Sequence, residues 1–106
     1  MIEKIAEILN RPEAWTKGVY ARTVTGRTIG PVCEGASCFC LMGATYRATR
    51  EGRTRLFSFV AQAIHELFPA RAGGGHIPAF NDHPETTHAD VLAVLHRARE
   101  LELAAE

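Results

Sequence analysis

The chain has 106 residues, of which 46% are hydrophobic and 23% are charged. These values are typical of soluble globular domains and exclude a disordered chain, a collagen-like chain and a disulfide-dense toxin. Twelve basic and twelve acidic residues give a formal net charge of zero, which disfavours a strongly basic nucleic-acid binder. The length predicts one small globular domain, residues 1–106, with no room for a second.

Apolar stretches and cysteines indicate the expected compartment. No apolar run approaches the ~20 residues that a membrane-spanning helix needs. Met1 opens into the amphipathic segment MIEKIAEILN, which does not resemble a secretory signal. Three clustered cysteines, an odd number, favour free thiols over a disulfide framework. We therefore expect a cytoplasmic protein without membrane contact.

The first third of the chain predicts a helix and then a hairpin. Isoleucine and leucine recur at helical spacing over residues 2–9, and Pro12 opens a short turn that Gly18 can end with a positive φ. Residues 19–32 then alternate β-branched and polar side chains around Gly26, which is typical of a small β-hairpin. Pro31 should stop its second strand at an edge.

Two helices are predicted in the middle of the chain. Ser37 can cap a helix whose first turn holds residues 38–40 and which ends near Gly52. Gly43 inside this helix predicts a close approach of a second helix. Thr54 can cap the next helix, which covers residues 55–68 and ends at Pro69.

The last third predicts a long loop and a final helix. Residues 69–86 contain three consecutive glycines, 73–75, which indicate a flexible joint. Thr87 and Asp90 form a T-x-x-D capping box before a helix over roughly residues 87–103. The predicted fold is mainly α, with three to four packed helices and one small β-hairpin, and an α+β arrangement is the alternative. Helical spacing predicts one core from Trp15, Leu41, Phe57, Val60, Ile64, Val91 and Leu95.

Three short motifs carry a family resemblance. They are W-x-x-G at residues 15–18, aromatic-C-L-x-G-A at residues 39–44 and aromatic-N-D at residues 80–82. With these motifs the chain resembles an uncharacterised family of small bacterial and phage domains of unknown function, over roughly residues 3–99. Phe39 and Phe80 stand where that family usually has tryptophan. The resemblance implies a shared fold and a shared cysteine, asparagine and aspartate constellation, and it implies no reaction.

Cys40 is the candidate nucleophile of this constellation. A cysteine in the first turn of a helix faces the positive end of the helix dipole, which favours the thiolate. His83 or His76 could act as its base, and Asn81 or Asp82 could orient that base. The structural alternative makes Cys40 a small buried hydrophobic residue and makes Asn81 and Asp82 turn and capping residues. In that alternative the Asn81-Asp82 turn is held by backbone amides, above all those that begin the Cys40 helix.

A metal site and a basic surface are the two other candidates. Spacings of one and four residues between the cysteines are poor for zinc, although His83 and His88 are suitably spaced. We therefore predict no metal and no cofactor from the candidate ligands Cys33, Cys38, Cys40, His76, His83 and His88. A basic surface that could contact phosphate or carboxylate groups is predicted from Arg47, Arg50, Arg53 and Arg55.

The favoured function is a small non-catalytic binding module. It would act through protein–protein contact as an accessory, regulatory or phage-type inhibitor protein, because one small neutral domain shows no complete catalytic set. A cysteine-dependent enzyme that uses Cys40 is the alternative, and an arginine-patch nucleic-acid binder is a further one. A shared pocket around Cys40, a histidine and Asn81 or Asp82 would indicate the enzyme. An exposed apolar or arginine-rich face would indicate the binding module.

Overall fold

A computed structural model describes residues 1–50, 54–72 and 76–106. Within these ranges the chain is mainly helical and carries one small antiparallel sheet, which confirms the predicted fold class. The helices are α1 (Ile2–Ile8), α2 (Leu41–Thr49), α3 (Thr54–Leu67), α4 (Ile77–Asp82) and α5 (His88–Ala104). Single 3-10 turns cover Pro12–Ala14 and Pro69–Arg71.

Helix α5 lies against both α1 and α3, and α2 packs against α1, α3 and α4. In α3 and α5 an apolar stripe at helical spacing faces this core, as the sequence predicts. Five of the seven predicted core residues are buried, whereas Trp15 and Phe57 are half-buried against the core. The buried predicted residues are Leu41, Val60, Ile64, Val91 and Leu95.

The sheet differs from the predicted hairpin in its pairing. Strand β1 (Ala21–Arg22) pairs antiparallel with strand β2 (Cys38–Phe39), with Arg22 opposite Cys38. The expected turn is present, because Gly26 has a φ of +89° and Arg22 also forms an isolated bridge with Thr28. The regular pairing of β1 is therefore with Cys38–Phe39, the strand just before α2, and not with the residues that follow Gly26.

The start and end of α2 correct the sequence prediction. Cys38 and Phe39 form a strand, so the helix begins at Leu41 and its N-cap is Cys40, not Ser37. The helix stops at Thr49 because Arg50 adopts the left-handed conformation, with a φ of 60°. The predicted end at Gly52 and the predicted cap by the Thr54 side chain lie outside the part of the chain that can be described.

The predicted loop over residues 69–86 contains a 3-10 turn and the short helix α4. Pro78 lies in the first turn of α4, where a missing N–H costs no helical hydrogen bond. Ile77, Phe80 and Asn81 are buried from this helix. The predicted glycine joint, residues 73–75, falls outside the described ranges. Helix α4 therefore carries Asn81 into the interior, whereas Asp82 at its end stays exposed.

Candidate functional site

Asn81 is the centre of the motif residues. Its side chain is only 1% exposed, and its Oδ1 accepts hydrogen bonds from Trp15 Nε1 at 2.8 Å and from the Leu41 backbone N–H at 3.1 Å. Its Nδ2 donates to the Thr16 carbonyl at 3.1 Å and to Asp82 Oδ1 at 2.9 Å. The Asn81 amide therefore joins three segments that are far apart in sequence: residues 15–16, the start of α2 and α4 itself. It also gives a partner to the Leu41 N–H, which has none within its own helix.

Asp82 holds the turn that precedes β1. Its Oδ1 accepts a hydrogen bond from the Gly18 backbone N–H at 2.9 Å, and Gly18 has a φ of +87°. Lys17 Nζ donates to the His83 carbonyl at 2.7 Å, a second link between the same two segments. The prediction that backbone amides hold the Asn81-Asp82 turn is confirmed. Asn81 pairs with the start of α2, whereas Asp82 pairs with Gly18.

Cys40 caps α2. Its Sγ accepts a hydrogen bond from the Gly43 backbone N–H at 3.3 Å, and the residue is buried. Burial raises the pKa of the Cys40 thiol above its usual value, and the negative charge of Asp82 adds to this effect. This direction is opposite to the low pKa that the nucleophile hypothesis requires, because desolvation outweighs the hydrogen bonds that the helix start donates to the sulfur.

The structure brings Cys40 close to Asp82. In the described part of the chain, neither candidate base, His76 or His83, makes a hydrogen bond to the Cys40 thiol. Cys40 and Asp82 line one small concavity together. His83 Nδ1 accepts from the Glu85 backbone N–H, and His76 lines a different concavity. Within the described ranges, the Cys40 side chain makes its hydrogen bond with the Gly43 N–H and with no histidine. We refer to Trp15, Gly18, Cys40, Asn81 and Asp82 as the clasp.

Gly43 is needed at its position because the backbone of Tyr20 passes directly over it. A Cβ atom on Gly43 would overlap the Tyr20 carbonyl group. The same carbonyl accepts a hydrogen bond from the Cys40 N–H at 3.1 Å. The close approach predicted from Gly43 is thus real, but its partner is the segment leading into β1 and not a second helix.

The candidate metal ligands weighed in the sequence do not form a cluster among the described residues. No group of three or more His, Cys, Asp and Glu side chains placed to hold a metal ion occurs among the described residues. Cys33 is exposed, Cys38 is intermediate and all three cysteines are free thiols. His88 Nε2 lies 2.6 Å from the Leu9 carbonyl and joins the end of α1 to the start of α5.

The predicted arginine surface contains side chains with different environments. Arg47 Nη1 donates to the Cys33 carbonyl at 2.8 Å, and its guanidinium lies 5.8 Å from the centre of the Phe39 ring. Arg50 is exposed at the end of α2, and the exposed Arg55 lies over the ring of Phe59. Arg53 lies outside the described residues. Arg47 is therefore occupied in holding the loop before β2.

A surface that the sequence did not predict runs beside the clasp. Three adjoining concavities of about 320, 70 and 310 Å³ follow one another. The first and second share residues 18–20 as a wall, and the second and third share Pro78. We call this surface the apolar track; its apolar side chains are Val19, Tyr20, Ile29, Pro31, Cys40, Met42, Phe57, Ala61, Ile77 and Pro78.

Tyr20 stands out within the apolar track. Its side chain is 48% exposed, although its backbone carbonyl is fixed against α2. Its ring contacts Tyr46, which in turn contacts Phe57, with 5.7 Å between ring centres in both pairs. Alternation around Tyr20 indicated a strand, but no sequence signal showed that the lining would come from five separate segments.

The comparisons with known proteins bear on this arrangement. No helix among the described residues is long and apolar enough to cross a membrane. No curated protein and no solved structure matches the chain significantly. A family model described as a family of unknown function, DUF6197, matches residues 1–101 and so includes the clasp and the apolar track. The chain therefore belongs to the family of unknown function DUF6197.

Proposed function

We propose that this protein is a small non-catalytic binding module that acts through protein–protein contact along the apolar track. The observation that carries the proposal is the half-exposed ring of Tyr20, held between two apolar concavities. Tyrosine is enriched among the side chains that dominate binding energy at protein interfaces. Such a module would act as an accessory, regulatory or inhibitor protein by covering a partner's surface, without catalysing a reaction.

Rigid presentation of Tyr20 supports the proposal. The Tyr20 carbonyl is hydrogen-bonded to Cys40 and lies against Gly43, so the backbone below the ring is already in place before binding. A preorganised anchor loses little conformational entropy when a partner covers it. The clasp thus supports the track by fixing the segment that carries its main aromatic side chain.

The state of Cys40 weighs against the cysteine-enzyme alternative. A nucleophilic cysteine needs a thiolate, and burial together with Asp82 raises the pKa of this thiol. Its sulfur is used as the N-cap of α2. The arginine-patch alternative is weakened because Arg47 already donates hydrogen bonds to the Pro31 and Cys33 carbonyls. Neither alternative has an observation comparable to the exposed ring of Tyr20.

The proposal includes a cytoplasmic, phage-type role for the module. Three free thiols support the cytoplasmic part, because they suit a reducing compartment. The phage-type part rests on the resemblance carried by the three short motifs.

Photocrosslinking in the native cell tests the proposal. A benzophenone amino acid is placed at Tyr20, and the matched control carries the same group at Ala93, which is exposed on α5 outside the track. We expect one protein to be crosslinked from position 20 and not from position 93. The purified partner should then bind the wild-type module at least about tenfold more tightly than Tyr20→Ala. Equal affinities, or a small molecule turned over by a Cys40-dependent reaction, would overturn the proposal.

A further inference from the structure

We propose that the apolar track binds a protein segment in which two large apolar side chains flank a lysine or an arginine. This inference rests on the proposed function and names the chemistry of the partner. It comes from the sizes of the three concavities and from the position of Asp82 in the middle one.

The two outer concavities have room for large side chains. Their volumes are about 320 and 310 Å³, and their walls are mainly aliphatic and aromatic. Ile29 and Pro31 line the first, while Met42 and Phe57 line the third. Burial of apolar surface in such sites is the main source of affinity in peptide recognition.

The middle concavity is different in size and charge. It measures about 70 Å³, and Asp82 lies on its wall beside Val19 and Pro78. Asp82 Oδ1 accepts hydrogen bonds from Gly18 and Asn81, whereas Oδ2 accepts no hydrogen bond from any described residue. A carboxylate fixed by one oxygen presents the other in a constant direction.

Charge complementarity therefore selects the central side chain of the ligand. Asp82 is the only Asp, Glu, Lys or Arg that lines any of the three concavities in the described part of the chain. A lysine or arginine of the ligand can pair with Oδ2 while its methylene stem covers the apolar wall. An acidic residue at that position would be repelled and left without a partner.

Selection from a phage-displayed library of random twelve-residue peptides tests the inference. Peptides bound by the wild-type protein are kept only if Tyr20→Ser abolishes their binding, which restricts them to the track. We expect a consensus with two large apolar residues on either side of a lysine or arginine. A Tyr20-dependent consensus without a basic residue overturns this inference and leaves the proposed function intact. No Tyr20-dependent peptide at all overturns both.

A double-mutant cycle then assigns the basic residue to Asp82. Fluorescence anisotropy compares the selected peptide with a version in which glutamine replaces its basic residue, on wild-type protein and on Asp82→Asn. Asparagine keeps an oxygen for the Gly18 N–H and replaces the charged Oδ2 acceptor with a neutral amide donor. Each single change should weaken binding about five- to tenfold, and the two together should weaken it no further.

The matched control is Glu85→Gln, which removes an exposed acidic charge outside the track. It should leave the dissociation constant unchanged, and the melting temperatures of both variants should match the wild type. Additive losses in the cycle, or an equal loss in Glu85→Gln, would show long-range attraction instead of a pair and would overturn the assignment.

Discussion

Asn81 shows how one side chain can determine a local structure. Its amide supplies an acceptor to Trp15 and Leu41 and a donor to Thr16 and Asp82, so every bond uses the correct half of the group. Buried polar groups are tolerated only when they are paired in this way. Asparagine is therefore required here for its mixed chemistry and not for a turn conformation.

Asn81→Ala should lower the free energy of unfolding by about 3 kcal/mol, because it leaves three buried backbone and side-chain groups without partners. Asn81→Asp should be as damaging at neutral pH, since it sets a second carboxylate against the Thr16 carbonyl and Asp82. Urea denaturation measures both losses. Asn10→Ala, at an exposed asparagine, should cost less than 0.5 kcal/mol, as is usual at the surface. A loss below 1 kcal/mol for Asn81→Ala would contradict the structural role of the amide.

The close contact at Gly43 predicts the sign of the stability change caused by Gly43→Ala. A glycine-to-alanine change inside a helix normally stabilises a protein by up to about 1 kcal/mol. Here the added methyl group meets the Tyr20 carbonyl, which is backbone and hydrogen-bonded to Cys40. Gly43→Ala should therefore destabilise by roughly 1–3 kcal/mol, the usual cost of overpacking. Thermal melts measure the change in stability, and an increased melting temperature would refute the close approach of the Tyr20 carbonyl to Gly43.

The raised pKa of the Cys40 thiol predicts low reactivity. Iodoacetamide at neutral pH should modify the exposed Cys33 first and Cys40 only as fast as the protein opens. A raised folded pKa also means that Cys40 contributes stability below its unfolded pKa and loses it as the pH rises through the folded value. Mass spectrometry of timed reactions gives the rates. Faster modification of Cys40 than of Cys33 would favour the nucleophile.

At the scale of elements, helix ends determine how the helices meet. The Thr87 hydroxyl accepts from the Asp90 N–H at 3.2 Å, and the Thr87 N–H donates to Asp90 Oδ2 at 3.1 Å, which confirms the predicted capping box. Arg71 Nη1 donates to the same oxygen at 2.8 Å. The 3-10 turn Pro69–Arg71 is thereby attached to the start of α5 by a single carboxylate.

This shared carboxylate predicts an acid-dependent stability. The hydrogen bond from Arg71 lowers the pKa of Asp90, so its contribution is present above the unfolded pKa and is lost as the pH falls through the folded value. Asp90→Asn, which can keep the cap, should destabilise by about 1 kcal/mol at pH 7. The difference from the wild type should shrink and then disappear as the pH falls through the folded pKa of Asp90. Arg71→Gln should behave in the same way, and a loss that is constant with pH would contradict the ion pair.

Some elements could be predicted from the sequence because their information is local. The apolar stripes of α3 and α5 and the Thr87–Asp90 box need only residues a few positions apart. Cys38 and Phe39 could not be placed correctly, since both suit a helix or a strand and their pairing with β1 decides between them. Helix α4, with six residues, is too short for a periodic signal.

At the scale of the whole molecule, the candidate site was predicted in part. The meeting of Cys40 with the Asn81-Asp82 turn followed from the motifs and from the unpaired N–H groups of a helix start. The apolar track could not be foreseen, because its walls come from segments whose spatial order only the folded chain defines. The half-buried state of Phe57 has the same origin, since its neighbour Tyr46 belongs to another helix.

Trp15 is the only tryptophan in the chain, and its indole N–H is bonded to Asn81, 66 positions away. Its ring also lies 5.4 Å from the Lys17 ammonium and 6.4 Å from the His88 ring. The intrinsic fluorescence of the protein is therefore a built-in optical probe of one tertiary contact. In stopped-flow refolding, its emission should change when α4 docks, while far-ultraviolet circular dichroism follows helix formation. A lag of the fluorescence change behind the circular dichroism change would measure how late Trp15 and Asn81 come together during refolding.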